Sequence, residues 1–260
     1  MDTSSALRDV VDTMADWDVA APHQARALSF KFTPSYGLHL VVHYRTPMCS
    51  TKQFGSPLSL HHQCQRRHFA TILEAGIATS LPCGPLGMIW VRLKPEAAMR
   101  LMGERPRYFL GAGIGLDDIF GARRVALLTE KLSEAATSAE RFSHMRAFLL
   151  SSLRPNRAES IVSRAAALLR RDPCLRVRQL ATRLDVSERH LCRNFGAMFG
   201  MGPKQFARIA RIERVLSAWA QGATWADIAY ANGFTDQAHM INDFTAIVGV
   251  SPAELVRMPI

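Results

Sequence analysis

Two stretches in the last third of the chain share one pattern: LATRLDVSERHLCRNF at residues 180–195 and IAYANGFTDQAHMINDF at residues 228–244. With one extra residue allowed in the second turn, three apolar positions pair as Leu180 with Ile228, Leu191 with Met240, and Phe195 with Phe244. Each stretch reads as a short helix, a polar turn and a second helix. The sequence therefore predicts two helix-turn-helix units whose starts lie 48 residues apart (228 − 180).

The second helix of the first unit is predicted to have a buried and an exposed side. Leu191 and Phe195 have the i, i+4 spacing of a stripe that packs on a core. Arg189 and Arg193 lie two positions either side of Leu191 and are rotated about 200° away from that stripe. Because arginine can hold guanine O6 and N7 with two parallel hydrogen bonds, these two residues are predicted to read bases.

Other polar residues extend this exposed side. Ser187 stands where the helix should begin, and its hydroxyl can accept from an otherwise unpaired amide there. The free amides of such a helix start also suit a phosphate. His190 and Asn194 flank the two arginines. In the second unit the predicted DNA contacts are Gln237, Ala238, Ile241 and Asn242. None of these side chains is charged, so the first unit is expected to dominate DNA binding.

The distribution of charge shows the same asymmetry. Residues 154–214 contain fourteen Lys or Arg and five acids, a balance of +9, whereas residues 215–260 contain one Arg and four acids, a balance of −3. Residues 1–153 carry the remaining +4 of a net +10. A concentrated basic surface attracts the phosphate backbone without regard to base sequence. The predicted electrostatic contact with nucleic acid is therefore made mainly by residues 154–214, which contain the first unit.

Residues 158–257 resemble the DNA-binding domain of the AraC/XylS family of bacterial transcription regulators. The segments that carry the resemblance are 180–195, 211–216, 228–240 with Phe244, and 249–252. The resemblance implies an all-helical domain of two lobes joined by a helix near residues 203–220. It also implies that recognition helices near 188–199 and 236–248 enter adjacent major grooves, which lie roughly 34 Å apart.

Several residues depart from the pattern of that family. Met240 stands where phenylalanine is common, and Trp219 stands where a smaller aliphatic residue is usual. Asn242 and Thr245-Ala246 replace basic residues. The helical framework tolerates these changes, but they weaken the expected base readout by the second unit.

The chain is predicted to divide into a sensing or dimerisation domain, residues 1–153, and a DNA-binding domain, residues 154–260. The division falls at residues 151–156, which are polar and contain a proline between two helical patterns. A first supporting helix is expected from Ser160 to Arg170 with Ile161, Ala165 and Leu168 inward, and Ser251-Pro252-Ala253-Glu254 predicts a short terminal helix.

The N-terminal part is predicted to be α+β, a small barrel-like sheet followed by helices. An amphipathic helix is expected at residues 5–18, which are too polar for a signal peptide or a membrane span. Strands are expected within 27–44, at 72–73 and at 88–93, and helices at 95–102, 125–136 and 139–150. The apolar spacing within 125–150 fits a self-association surface and an internal core equally well.

Other chemistry is less well supported by the sequence. His61, His62, Cys64 and His68 are metal-capable, but no paired ligand spacing accompanies them, so no metal and no cofactor is expected. The glycines of 111–115 lack the lysine of a phosphate-binding loop and are expected to form a connection. The five irregularly spaced cysteines predict reduced thiols. No convincing catalytic constellation is present, so the chain is not expected to be an enzyme.

We therefore expect a sequence-specific regulator that binds double-stranded DNA as a cytoplasmic homodimer, with no membrane partner. A small-molecule effector is expected for the N-terminal domain, and contact with RNA polymerase is left open. Activation is the expected mode, although the residues alone do not separate it from repression. The alternatives are a metal- or redox-responsive regulator that uses residues 61–68 and an enzyme fused to a DNA-binding tail.

Overall fold

The structure is a computed structural model that describes residues 7–54, 67–95, 97–103, 105–111, 113–154 and 160–258. Its N-terminal part contains the strands and its C-terminal part is helical, which confirms the expected fold class. The strands are β1 Val11–Val19, β2 Phe30–Phe32, β3 Leu38–His43, β4 Met48–Phe54, β5 His68–Thr71, β6 Ile77–Pro82, β7 Leu86–Leu93 and β8 Ile114–Gly115.

The strands form two antiparallel sheets. The larger sheet has the order β1-β7-β3-β5-β8 and the smaller one the order β2-β6-β4. Every residue of β3 is buried, because Leu40 faces the helices that follow the sheet while Val41 faces the core between the two sheets. Strands are therefore confirmed within 27–44 and over 88–93. The strand expected at 72–73 is wrong, because β5 ends at Thr71 and Ile72 forms only an isolated bridge with Leu110.

Twelve helices are assigned between the strands and after them in the described residues. They are α1 Pro22–Arg26, α2 Ala97–Met102, α3 Leu116–Phe120, α4 Ala122–Glu134, α5 Ser138–Ser152, α6 Ile161–Arg171, α7 Val177–Arg183, α8 Glu188–Phe199, α9 Pro203–Ala220, α10 Trp225–Ala231, α11 Gln237–Val248 and α12 Pro252–Arg257. A short 3-10 helix, Pro106–Phe109, precedes β8. The expected helices near 95–102, 125–136 and 139–150 correspond to α2, α4 and α5.

The helix expected at residues 5–18 is wrong over most of its length, because residues 11–19 form strand β1. Pairing with β7 outweighs the helical spacing of the apolar residues. Three acidic residues of this segment, Asp12, Asp16 and Asp18, pair with arginines. The Asp12 carboxylate lies 2.6 Å from the Arg92 guanidinium, and Arg141 pairs with Asp16 at 3.1 Å and with Asp18 at 2.6 Å.

Two smaller expectations also need correction. In α6 the buried residues are Val162, Ala165, Ala166 and Leu169, whereas Ile161 is exposed and Leu168 is half-buried. The inward stripe is shifted by one residue, or about 100° around the helix. Cys83 is disulfide-bonded, which contradicts the expectation of reduced thiols for that residue. Cys174 and Cys192 are free.

The helix pair α4 and α5 serves mainly as internal core. The face of the large sheet that is turned toward the helices shares one buried cluster with Leu128, Leu132, Met145 and Leu149. Leu127, by contrast, has 51% of its surface exposed. The division at residue 153 stays a prediction, although α5 ends at Ser152 and α6 begins at Ile161.

His39 of β3 is buried in the N-terminal part as a neutral imidazole. Its Nδ1 accepts from the Trp90 indole N–H at 2.9 Å. Burial, with a smaller contribution from the charge of Arg92, lowers the pKa of His39 to about 3 from its ordinary 6.5. The unfolded chain therefore takes up a proton near pH 6.5, whereas the folded chain does not until about pH 3. The stabilisation from neutral His39 is complete above pH 6.5 and is lost progressively as the pH falls.

We predict that His39→Gln makes the fold less sensitive to acid. Since one proton changes stability by about 1.4 kcal/mol per pH unit, the variant should lose about 2 kcal/mol less free energy of unfolding than the parent between pH 6.5 and 5. Urea unfolding at the two pH values measures this difference. His23→Gln, at an exposed position of α1, is the control. Equal acid sensitivity of His39→Gln and the parent would contradict the assignment.

Candidate nucleic-acid interface

The two predicted helix-turn-helix units have the same backbone turn. In the first unit Asp185 has a left-handed conformation (φ 55°), and the Val186 N–H donates to the Ala181 carbonyl at 3.1 Å. In the second unit Gly233 takes that place (φ 69°), and the Phe234 N–H donates to the Ala229 carbonyl at 3.0 Å. The alignment read from the apolar residues therefore extends to the turn geometry, and the extra residue falls after it.

The second helix of each unit begins at a different kind of cap. The Ser187 hydroxyl accepts from the His190 N–H at 3.2 Å, as the sequence predicted. At α11 the Asp236 carboxylate accepts from the His239 N–H at 2.7 Å. A carboxylate favours a helix start but repels a phosphate that approaches the same amides. The cap at Asp236 was missed by the sequence reasoning, although its type and position are typical of an N-cap.

The exposed side of α8 carries the predicted base-reading residues. Arg189 and Arg193 are exposed, and Leu191 and Phe195 are fully buried beneath them. His190 and Asn194 are half-buried, and the Asn194 amide nitrogen lies 2.7 Å from the His190 Nε2 atom. These two residues hold each other along one edge of the helix. The two arginines are therefore the side chains of α8 that are best placed to reach a ligand.

The exposed side of α11 has no cation. Gln237, Ala238 and Asn242 are exposed, and Ile241 is half-buried. Met240 and Phe244 are fully buried, as the alignment with the first unit required. The structure thus places all nine predicted contact residues on the two second helices or their caps, and whether they touch DNA stays a prediction.

Part of the basic charge near the first unit is engaged within the protein. On α9 the Arg208 guanidinium lies 2.6 Å from the Asp243 carboxylate of α11, and the Arg211 guanidinium lies 4.7 Å from the centre of the Phe234 ring. Arg214 donates to backbone carbonyls at the end of α6. The basic residues of this region that remain exposed at the surface and form no described ion pair are Arg164, Arg171, Arg176, Arg178, Arg183, Arg189, Arg193 and Lys204.

The N-terminal part contacts the helix that joins the two units. Glu213 of α9 accepts from the Tyr36 N–H at 3.2 Å and lies 3.3 Å from the Arg92 guanidinium. Burial raises the pKa of the Glu213 carboxyl, and the charge of Arg92 opposes that shift. The Gly76 N–H also donates to the Ile247 carbonyl of α11 at 2.8 Å. Sequence reasoning missed these contacts because nothing local to Glu213 identifies a partner more than a hundred residues away.

The repeated turn, the caps and the joining helix coincide with a known domain family. A family model described as a helix-turn-helix domain matches residues 180–258. The C-terminal part is an AraC-type helix-turn-helix domain. This assignment confirms the resemblance noted in the sequence, and a domain of this type implies a DNA-binding transcription regulator. No curated protein sequence matches the chain significantly.

Solved structures support the fold beyond the AraC-type domain. An apo variant of ToxT from Vibrio cholerae strain SCE256 is 12% identical, with a TM-score of 0.50 over 96% of this chain and 99% of that chain. Wild-type ToxT from the same strain, with an unsaturated fatty acid bound, has the same identity and TM-score over 95% of each chain. The C-terminal domain of AraT, a response regulator from Geobacillus stearothermophilus, is 24% identical, with a TM-score of 0.37 over 39% of this chain and 88% of that chain. At these identities the ToxT structures establish the two-part fold alone.

Two other sequence expectations concern sites outside the AraC-type domain. His61, His62 and Cys64 lie outside the described residues, and His68 has its Nε2 atom 3.4 Å from the Thr129 hydroxyl. Among the residues that the structure describes, no group of three or more His, Cys, Asp or Glu could hold a metal ion. None of the described helices is long and apolar enough to cross a membrane.

We predict that Gly233→Ala destabilises the second unit. A left-handed conformation costs a non-glycine residue about 1–2 kcal/mol, and the added Cβ would lie 2.7 Å from the Cys174 sulfur. Urea unfolding should show a loss at least that large, and Cys174→Ala in the same chain should recover the part caused by the clash. Gly196→Ala is the control, because its Cβ meets nothing within 4 Å and a helical glycine-to-alanine change gains about 0.8–1 kcal/mol. Equal effects of the two substitutions would refute the turn assignment.

Proposed function

We propose that the protein is a sequence-specific transcription regulator in which α8 reads one major groove and α11 lies in the next, with α8 dominating. The observation that carries this proposal is the pair of exposed arginines, Arg189 and Arg193, above a fully buried Leu191 and Phe195. A helix so arranged can enter a groove without uncovering its core.

The length of α9 supports the use of adjacent grooves. Its 18 residues span about 27 Å at roughly 1.5 Å per residue. Asp243 of α11 is tied to Arg208 of this helix, so the second unit cannot swing freely about it. Two recognition helices that pack on one rigid helix keep a fixed spacing, which binding to grooves that recur about every 34 Å requires.

The difference between the two units supports the dominance of α8. Asp236 places a negative charge at the start of α11, where Ser187 places a neutral hydroxyl at the start of α8. The exposed arginines and lysine of residues 160–204 surround the first unit, and Arg257 is the only Lys or Arg in the sequence after Arg214. Phosphate attraction therefore acts mainly on the first unit.

The N-terminal part in this proposal senses a small molecule, associates with a second copy, or does both. ToxT, whose fold is similar, has been solved with an unsaturated fatty acid bound, which supports a sensing role here. We further propose that the protein acts in the cytoplasm as an activator, where it can contact RNA polymerase, and that it catalyses no reaction.

We predict that Arg193→Ala weakens binding to a site selected from random DNA by about 1–3 kcal/mol and relaxes one base position. Arg189→Ala should behave similarly, because both guanidinium groups project from the same side of α8. Fluorescence anisotropy with matched and single-mismatch duplexes measures both effects. Arg123→Ala, at an exposed position of α4, controls for the loss of one positive charge.

Asn242→Ala, at the position that corresponds to Arg193, should weaken binding less than Arg193→Ala. Footprinting should accordingly protect one groove more strongly than its neighbour. Equal losses for Asn242→Ala and Arg193→Ala would contradict the dominance of α8. Binding that none of the α8 variants alters, with folding intact, would contradict the recognition-helix assignment itself.

We also predict that the intact protein self-associates through the outer side of α4. Leu127 exposes an apolar side chain there, so Leu127→Glu should shift the sedimentation coefficient toward that of the monomer. Arg105→Glu, at an exposed position outside α4, is the control. A concentration series run with and without DNA decides the point, and a strict monomer under both conditions would refute self-association.

A further inference from the structure

A trough lies between strand β1 and helix α5, at the surface of the N-terminal part. Its volume is about 620 Å³, within the roughly 300–1,000 Å³ typical of sites for small molecules. Five of the nine residues that line it are apolar: Leu7, Val11, Met14, Phe142 and Leu150. The floor can therefore take an apolar body from water.

The charged residues of the trough are two arginines and one aspartate. Arg8 and Arg146 are exposed, and neither has a carboxylate partner among the described residues. Asp12 also lines the trough, but its carboxylate is already paired with the Arg92 guanidinium at 2.6 Å. The unneutralised charge of the trough is therefore positive. A guanidinium next to an apolar surface suits an anionic oxygen group, which it can bind through two parallel hydrogen bonds.

We propose that this trough binds a small organic anion with an apolar body, held by Arg8 and Arg146 at its acidic group and by the apolar floor along its length. The proposal rests on the sensing role given above to the N-terminal part and names the site and the chemical class of its effector. A neutral apolar molecule would leave both guanidinium groups unused, and a small inorganic anion would leave the floor exposed to water.

The trough is connected to the DNA-binding domain through charged contacts. Asp12 pairs with Arg92 at 2.6 Å, and Arg92 pairs with Glu213 of α9 at 3.3 Å. An anion bound beside Asp12 raises the local negative potential and changes how Arg92 is shared between the two carboxylates. Since α9 joins the two helix-turn-helix units, occupancy of the trough acts on the helix that sets their spacing. The anion is therefore an effector and not only a bound molecule.

The test uses the full-length protein and two fluorescent probes that share one aromatic body and differ by a single sulfonate group. These are 8-anilinonaphthalene-1-sulfonate and its neutral counterpart N-phenyl-1-naphthylamine. Arg8→Gln combined with Arg146→Gln should weaken binding of the sulfonate about tenfold and leave binding of the neutral probe unchanged. Arg105→Gln combined with Arg123→Gln, at exposed positions outside the trough, removes the same charge and should change neither affinity.

A second variant tests the place of the site rather than its charge. Thr13→Trp, at an exposed position of β1 that lines the trough, should weaken both probes because the indole occupies the floor. The proposal is overturned if the intact protein does not bind the sulfonate, if the two arginine pairs lower its affinity equally, or if Thr13→Trp binds both probes like the parent. Circular dichroism of each variant confirms the fold, and none of these readouts involves DNA. Failure here is thus distinguishable from failure of the proposed DNA recognition.

Discussion

The structure depends on one aromatic cluster, in which Phe206 of α9 contacts Phe195 and Phe199 of α8. The centre of the Phe206 ring lies 5.3 Å from that of Phe195 and 5.5 Å from that of Phe199. The Tyr36 ring stacks on Phe206, with 5.1 Å between the ring centres. All three phenylalanines are fully buried. Buried aromatic pairs add about 0.5–1.5 kcal/mol each beyond the burial of their area. This cluster fixes the first recognition helix on the joining helix, and through Tyr36 it fixes both on the N-terminal part.

The charged contacts around α9 determine its orientation, which the apolar cluster alone does not specify. Glu213 on one side of the helix is shared between the Tyr36 backbone and Arg92, and Arg208 elsewhere along it holds Asp243 of the second unit. A buried carboxylate that loses its partner costs several kcal/mol, so such a pair tolerates few alternative arrangements. The apolar cluster therefore supplies the attachment, and the ion pairs select the orientation of α9 relative to both of its neighbours.

Local patterns predicted the C-terminal domain well, because each of its features is encoded within a few residues. The stripe of Leu191 and Phe195 and the cap at Ser187 both follow from short-range physics. Segment 5–18 was mispredicted because its partners, β7 and Arg141, lie far along the chain. The contacts of Glu213 could not be predicted for the same reason. The predicted contact residues were placed on the expected helices, whereas the trough beside β1 became visible only once that strand was known.

The contacts between the N-terminal part and the DNA-binding domain leave the starts of α8 and α11, which are predicted to face DNA, exposed. The 3-10 helix Pro106–Phe109 packs beside α8, and a Cβ at Gly200, just after the end of α8, would lie 2.3 Å from Leu110. Gly76 likewise binds the carbonyl of Ile247, near the end of α11. Residues near the start of a recognition helix are the ones that reach base edges, and these starts are exposed in both units. Contacts at the ends of α8 and α11 can therefore shift the two helices relative to each other without covering the residues that face DNA.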